Sequence, residues 1–422
     1  MKRLAFLLLL CAVPSLLFAE GVSVRLCESS RSVFCAPCKP ELALVVRSDA
    51  PASGRIVIDV KSDFGAPVCT FSRPYDLQGG DSLAVAFSFD AAPGFYRAAV
   101  CDGEREAVRF WFGCDPGRIL SPADAQPDFD AFWTAAKAEL ARVKPRCRLQ
   151  LDKERSTAAR NVYLVEMRSL GGETIRGYYL EPTAPGRYPA VVTFMGYDSE
   201  PWCPDADAAP GRVEFVLSHR GQGLNKPGNR YGDWIVSGLG SPATYYYRGA
   251  YMDAVRAVDF VASRDKVDPR LIFAEGGSQG GALTLAVCAL DDRIAAAAPY
   301  VPFMSDFPDY LRIAPWPASA LRPAAAAAGI ADEELLRTLS YFDIKNLAGR
   351  IACPVLMGFG LQDEVCPPHT NFAGYNLLCS AKRWIVFPRR GHDVHNEPTW
   401  FAARDAFFGD VIDKINQNQQ NH

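Results

Sequence analysis

Strong charge of one sign is missing from this 422-residue chain, where 45 Lys and Arg face 48 Asp and Glu and leave a formal net charge of −3. Without a basic field to gather phosphates, nucleic acid is not an expected partner. Histidine is scarce, with only five in the whole sequence, so any chemistry needing an imidazole has few to draw on. Repeats and low-complexity tracts are absent, although 31 Pro and 33 Gly are spread along the chain. With 49% hydrophobic and 22% charged residues, a disordered or collagen-like protein is excluded. No apolar run after residue 20 approaches the roughly 20 residues that cross a bilayer.

An apolar run does stand at the start, from Leu4 to Ala19, broken at Pro14 and preceded by Met1-Lys2-Arg3. A basic tip, a short apolar core and a small residue at the end read as a secretory signal peptide over residues 1–19. That predicts a secreted or periplasmic protein with no stable membrane insertion after cleavage. Of the 13 cysteines, Cys11 leaves with this segment, and Cys27, Cys35, Cys38, Cys69, Cys101 and Cys114 crowd the first quarter of the remainder. Disulfides are expected there. Cys101 and Cys114 flank a predicted hairpin and are the first pair to expect. Cys35-Ala36-Pro37-Cys38 has the spacing of a redox pair or half a zinc site, but no second such pair follows, and a structural thiol or disulfide is the expectation. The six later cysteines, scattered singly, read as buried small hydrophobes.

From Gly21 to Gly113 the pattern is all-β. Leu83, Val85, Phe87 and Phe89 alternate with small or polar residues as a half-buried strand does. Pro93-Gly94 and Asp102-Gly103 mark turns around Phe95–Val100 and Ala107–Phe112, and residues 54–60 form a further strand. Roughly seven short strands predict a small sandwich-like domain over residues 20–115. After Asp115-Pro116-Gly117 the character changes. A helix around Phe129–Val143 is followed by apolar strand candidates at Ala190–Phe194, Val213–Leu217, Leu271–Ala274, Ile294–Val301, Val355–Phe359 and Trp384–Phe387, with helical spacing between them. This alternation predicts an α/β domain over residues 116–417 with a mostly parallel sheet. The Ala- and Pro-rich stretch 309–347 reads as a helical insertion, a natural place for a lid.

Strand Leu271–Ala274 runs into Gly276-Gly277-Ser278-Gln279-Gly280 and then the helical run Ala282–Leu290. Gly276-x-Ser278-x-Gly280 between a strand and a helix is the nucleophile-elbow pattern. The turn is so tight that the residues two before and two after the serine have no room for side chains. A serine needs a base, usually a histidine held by a carboxylate, and in this architecture the chain order is Ser, then Asp or Glu, then His. After Ser278 come only His369, His392, His395 and His422. His422 is terminal, and His369 follows Pro367-Pro368 where a helix should start, suiting a cap or an exposed residue. His392 hangs from a strand-end loop and is the expected base, with His395 in reserve. Asp363, in the loop after Val355–Phe359, is the expected carboxylate, with Glu364 as the weaker option. Asp306 and Asp343 suit structural hydrogen bonding. The backbone N–H groups of Tyr197 and Gln279 are assigned to the oxyanion site, and no metal or organic cofactor is needed.

Several separated motifs join the elbow: Arg220-Gly221-Gln222-Gly223, Tyr245-Tyr246-Tyr247-Arg248 leading into Asp253–Val258, Val301-Pro302-Phe303 with Asp306-Phe307, and Cys353-Pro354-Val355-Leu356 leading to Gln362-Asp363 and Cys366-Pro367-Pro368. Through them, the chain from about Asp128 to Phe408 resembles the acetyl xylan esterase/cephalosporin C deacetylase family of α/β-hydrolases. The resemblance implies Ser278, Asp363 and His392 as the catalytic set and Tyr197 and Gln279 as the oxyanion hole. It also implies a small acetyl pocket, an acetylated carbohydrate substrate such as xylan or xylo-oligosaccharides, and a homo-oligomer. Met195 stands where the family commonly has His, and Asp393 where it has Glu. Arg220 and Gln222 read as structural. Two other functions compete: a prolyl-oligopeptidase-like serine peptidase, whose large propeller has no room in the N-terminal domain, and a non-catalytic glycan-binding protein. The latter would use Phe95, Tyr96 or Trp111 as exposed sugar platforms, although a core role for those rings is the simpler expectation.

Overall fold

The computed structural model describes residues 22–27, 32–34 and 39–420. The segment read as a signal peptide, Cys35 and Cys38 lie outside the described residues. The chain divides into two compact units, the first running to Ala92 and resuming over Tyr96–Cys114, the second comprising Pro93–Phe95 and the chain from Asp115 onward.

In the first unit, β1 (Val22–Leu26), β3 (Glu41–Ser48) and β6 (Ser82–Ser88) form one sheet. A second contains β2 (Val33–Phe34), β8 (Arg105–Cys114), β7 (Gly94–Asp102), β4 (Ala52–Ser62) and β5 (Pro67–Leu77), in that order. The strands alternate as the sequence reads: Val85 and Phe87 point inward, joining Leu44, Ile58 and Phe112 in one core, while Ala84 and Ala86 face outward. Phe95 and Tyr96 are buried and Trp111 is half-buried with Arg97 above its ring, so these rings are no open platform. The expected Cys101–Cys114 pair is not formed: Cys101 is free and Cys114 is disulfide-bonded elsewhere. The hairpin explains this. Cys101 lies beside its turn, whereas Cys114 closes the 10-residue strand β8, about 30 Å further on at the rise of a β-strand. Among the later cysteines, Cys288 and Cys366 are buried, but Cys147 and Cys379 are exposed in connecting loops, against the expectation for all six.

The second unit is built on a nine-stranded sheet. Its strands are β9 (Arg148–Leu151), β10 (Arg160–Arg168), β11 (Thr174–Pro182), β12 (Tyr188–Phe194), β13 (Val213–Ser218), β14 (Val267–Gly277), β15 (Ile294–Tyr300), β16 (Val355–Gly360) and β17 (Lys382–Phe387). They lie in the order β17-β16-β15-β14-β12-β13-β11-β10-β9. The six from β17 to β13 are parallel, and β11, β10 and β9 continue antiparallel. Parallel strands covered on both faces must be apolar throughout, and β13 and β16 are buried at every position. Helices α1 (Phe129–Arg142), α2 (Tyr246–Ala262), α3 (Gln279–Leu290), α8 (Pro368–Asn376) and α9 (Pro398–Gln420) accompany the sheet. The expected insertion is α4 (Phe307–Ile313), α5 (Ala318–Ala327), α6 (Asp332–Ser340) and α7 (Ile344–Ala348), between β15 and β16. Parallel pairing leaves the carboxyl ends of these six strands together, where loops from several strands build a ligand crevice.

Candidate active site

β14 delivers Ser278 to that end of the sheet. The residue adopts φ 57° and ψ −122°, a conformation a non-glycine residue holds only when its surroundings enforce it. The surroundings do. A Cβ on Gly280 would lie 2.0 Å from the Phe194 carbonyl oxygen, and one on Gly276 would lie 2.6 Å from the Gly280 backbone. The Ser278 N–H donates to Tyr300 O at 3.1 Å, and its carbonyl accepts from Ala282 and Phe303, each at 3.0 Å. The turn is therefore fixed from the strand, the helix and the following loop at once, and α3 begins directly behind the hydroxyl.

Asp363 and His392 come from the ends of the adjacent strands β16 and β17. Their loops meet where Gly360 presses on Gly391, so closely that a Cβ on Gly360 would lie 1.9 Å from the Gly391 oxygen. Gln362 N donates to Arg390 O at 2.8 Å across the same contact. Asp363 is buried; its Oδ1 accepts from the N–H groups of Val365 (2.8 Å) and Cys366 (2.9 Å), and its Oδ2 meets His392 Nδ1 at 2.8 Å. Every oxygen of the carboxylate is thus committed to a donor. Burial of the imidazole opposes protonation, but the charge and hydrogen bond of Asp363, helped by Asp393, outweigh it and raise the His392 pKa above 6.5. With Nδ1 held by Asp363, Nε2 is the free nitrogen. Ser278 and His392 line one cavity of about 680 Å³ with no hydrogen bond between them, the loose arrangement common before substrate tightens a catalytic contact.

Tyr197 lines the same cavity, its ring edge-on to Trp234 and its hydroxyl donating to Asp233. The side chain of Gln279 is fully buried and points into the protein. There it pairs with Gln222: Gln222 Nε2 donates to Gln279 Oε1 at 3.0 Å, and Gln279 Nε2 lies 3.2 Å from Gln222 Oε1. Tyr247 OH also donates to Gln279 (3.0 Å), and Gln222 donates to Tyr246 OH (2.9 Å). Gln222 Oε1 further accepts from the N–H of Asp198 at 3.0 Å, the residue after Tyr197. This amide pair ties the loop after β12 to the start of α3, and so fixes the two backbone N–H groups expected at an oxyanion site. The buried His219 adds a hydrogen bond to Met195 O at 3.2 Å; burial lowers its pKa to about 4, so it serves as a neutral donor.

His395 also lines the cavity, while the carboxylate goes to His392. His369 is buried rather than exposed, 3.8 Å from Asp309. Asp306 binds Lys345 and Ser121, and Asp343 accepts from the N–H groups of Asp306, Phe307 and Lys345, both structural as expected. Arg220 makes a buried two-pronged pair with Asp253 at 2.9 and 2.7 Å, which anchors the loop carrying Gln222 to α2. Sequence reasoning placed Gln222 as structural but missed its link to Gln279 and the part of His219. The signal available was the polar run His219–Gln222 at the carboxyl end of an apolar strand.

A sequence model of the acetyl xylan esterase (AXE1) family matches residues 120–404. The acetyl esterase Axe7A of Xylanibacter ruminicola is 29% identical over 299 residues, covering 67% of this chain and 67% of that protein. The structure of an acetyl xylan esterase from Paenibacillus sp. R4 is 32% identical with a TM-score of 0.64, covering 70% of this chain and 98% of that one. Acetyl xylan esterase 1 from Thermoanaerobacterium sp. is 28% identical with a TM-score of 0.59, covering 70% and 97%. An elbow, a parallel sheet and a family match that all fall in the second unit lead to one conclusion: this chain belongs to the acetyl xylan esterase family and is an α/β-hydrolase acting on esters.

Proposed function

We propose that the protein removes acetyl groups from acetylated xylan or xylo-oligosaccharides through an acetyl-enzyme on Ser278. Ser278 Oγ attacks the ester carbonyl carbon as its proton passes to His392 Nε2, and Asp363 stabilises the imidazolium. The tetrahedral oxyanion accepts from the N–H groups of Tyr197 and Gln279. Collapse breaks the bond to the sugar oxygen, which takes the proton from His392. Water then attacks the acetyl-enzyme with His392 again as base, releasing acetate and restoring the serine.

The observation that carries this assignment of roles is the 2.8 Å contact between His392 Nδ1 and a fully committed Asp363 carboxylate beside the strained serine turn. The apolar run Leu4–Ala19 behind Lys2-Arg3 supports the further reading that the enzyme works outside the cytoplasm, where plant polysaccharide fragments are met. Ser278→Ala should lose at least 10³-fold in acetate release while melting within a few degrees of the parent protein. Turnover within tenfold of the parent would refute the nucleophile.

A further inference from the structure

Leaving tryptophan in water is costly, and it is unusual to find two at one cavity. Trp202, in the loop after β12, is 45% exposed, and Trp316, in the insertion between α4 and α5, is 52% exposed. Both line the cavity that holds Ser278 and His392. Trp316 stands edge-on to the Tyr197 ring, with centroids 6.1 Å apart, which sets it beside the loop of the proposed oxyanion donor. The cavity, about 680 Å³, is far larger than a two-carbon acyl group and within the usual size for binding a whole small molecule.

The rest of the lining narrows the chemistry of what fits. Arg212 donates to Glu214 at 2.8 Å, and Arg404 donates to Glu275 at 2.6 Å; all four residues face the same cavity. A purely aromatic alcohol would leave these charged groups against an apolar ring, which costs their hydration without replacement. A pyranose satisfies both surfaces. Its C–H faces carry partial positive charge that suits the negative face of an indole, and its equatorial hydroxyls can exchange hydrogen bonds with paired carboxylate and guanidinium groups.

We propose that Trp202 and Trp316 wall a subsite for the pyranose ring that carries the acetyl group and departs with the alcohol oxygen. The inference rests on the carbohydrate-esterase reading above. It makes the two rings selectors of the alcohol, leaving the acyl half of the ester to the groups around Ser278.

The test compares Trp202→Ala, Trp316→Ala and the two Trp→Phe variants with the parent on monoacetylated xylobiose and on ethyl acetate. Ethyl acetate offers the same acyl group with an alcohol that has no ring. The ratio of kcat/KM for the sugar ester to that for ethyl acetate should fall fivefold or more in each Ala variant, mostly through KM, and recover with Phe. A general disturbance of the oxyanion loop lowers both substrates together and leaves the ratio standing. A ratio held within fivefold in either folded Ala variant overturns the subsite. A parent enzyme that hydrolyses ethyl acetate but no acetylated sugar overturns the carbohydrate reading instead. The two tryptophans sit on separate loops, so misfolding of one variant leaves the other as the test.

Discussion

Replacing Asp363 with Asn exchanges one oxygen for an NH2 group and nothing else, and the surroundings dictate which one. Oδ1 accepts two backbone N–H groups, at 2.8 and 2.9 Å. An NH2 placed there would face two donors, so the amide oxygen must take that position and the NH2 must face His392 Nδ1. A donor facing Nδ1 forces the imidazole into the tautomer with hydrogen on Nε2, where it cannot accept the serine proton. The loss expected for a wrong tautomer in a Ser–His–Asp site is about 10⁴-fold in kcat, or about 5.5 kcal/mol. Asp363→Ala imposes no tautomer and should retain more activity than Asn, although two buried N–H groups lose their acceptor at about 1–3 kcal/mol of stability each. The sign of the pH effect follows from the same contact. The neutral ring is the working base and its pKa is raised above 6.5, so kcat/KM in the parent should climb with pH through a midpoint above that value. Without the carboxylate's charge the midpoint moves down. Linkage adds a stability term present below the unfolded histidine pKa of about 6.5 and lost as pH rises through the higher folded value; the Asn variant should lack it. Acetate release measured from pH 5 to 9, with melting at each pH, reads all of this. Asn activity within tenfold of the parent, or above that of Ala, would refute the argument.

Gln222→Leu removes the acceptor of the Asp198 N–H and one of the two donors to Gln279 Oε1, which keeps Tyr247 OH; a loss of about 1 kcal/mol of stability and a fall in kcat of about tenfold with KM little changed are expected from melting and steady-state kinetics. Gly360→Ala drives a methyl into the Gly391 carbonyl, so the loop bearing His392 must move by an ångström or so. A loss of about 10²-fold in kcat is expected, and a variant within threefold of the parent would show that the loops adjust freely.

The parts of this site that could be read from sequence are those fixed along the chain. Strands buried on both faces show as apolar runs, which is why β12 to β16 are visible along with the shorter run of edge strand β17, and β14, β16 and β17 lead to the catalytic side chains at their carboxyl ends. β10 and β11 were not visible. They are neither continuous apolar runs nor strictly alternating ones, and pairing across strands, as in Glu166 with Arg176 at 2.6 Å, shows in no window along one strand. The Gln222–Gln279 pair was hidden for a related reason. Their contact depends on β12 lying between β13 and β14, a neighbourhood set by sheet order rather than by spacing. The disulfide expectation failed because it counted residues around a turn without following the strand away from it.

The insertion leaves β15 and returns to the parallel β16, and its part from α4 to α6 is closed at the base, where the Ile344 N–H donates to Met304 O at 2.8 Å and Asp343 accepts from the N–H groups of Asp306 and Phe307. Its two ends are therefore anchored a few ångströms apart on a rigid frame, like a cassette clipped into a slot. Helices there can lengthen, shrink or be exchanged while the serine on β14 and the aspartate and histidine on β16 and β17 keep their spacing. Selection can then retune which alcohols are admitted, Trp316 among the parts replaced, without reopening the problem of how to cleave an ester.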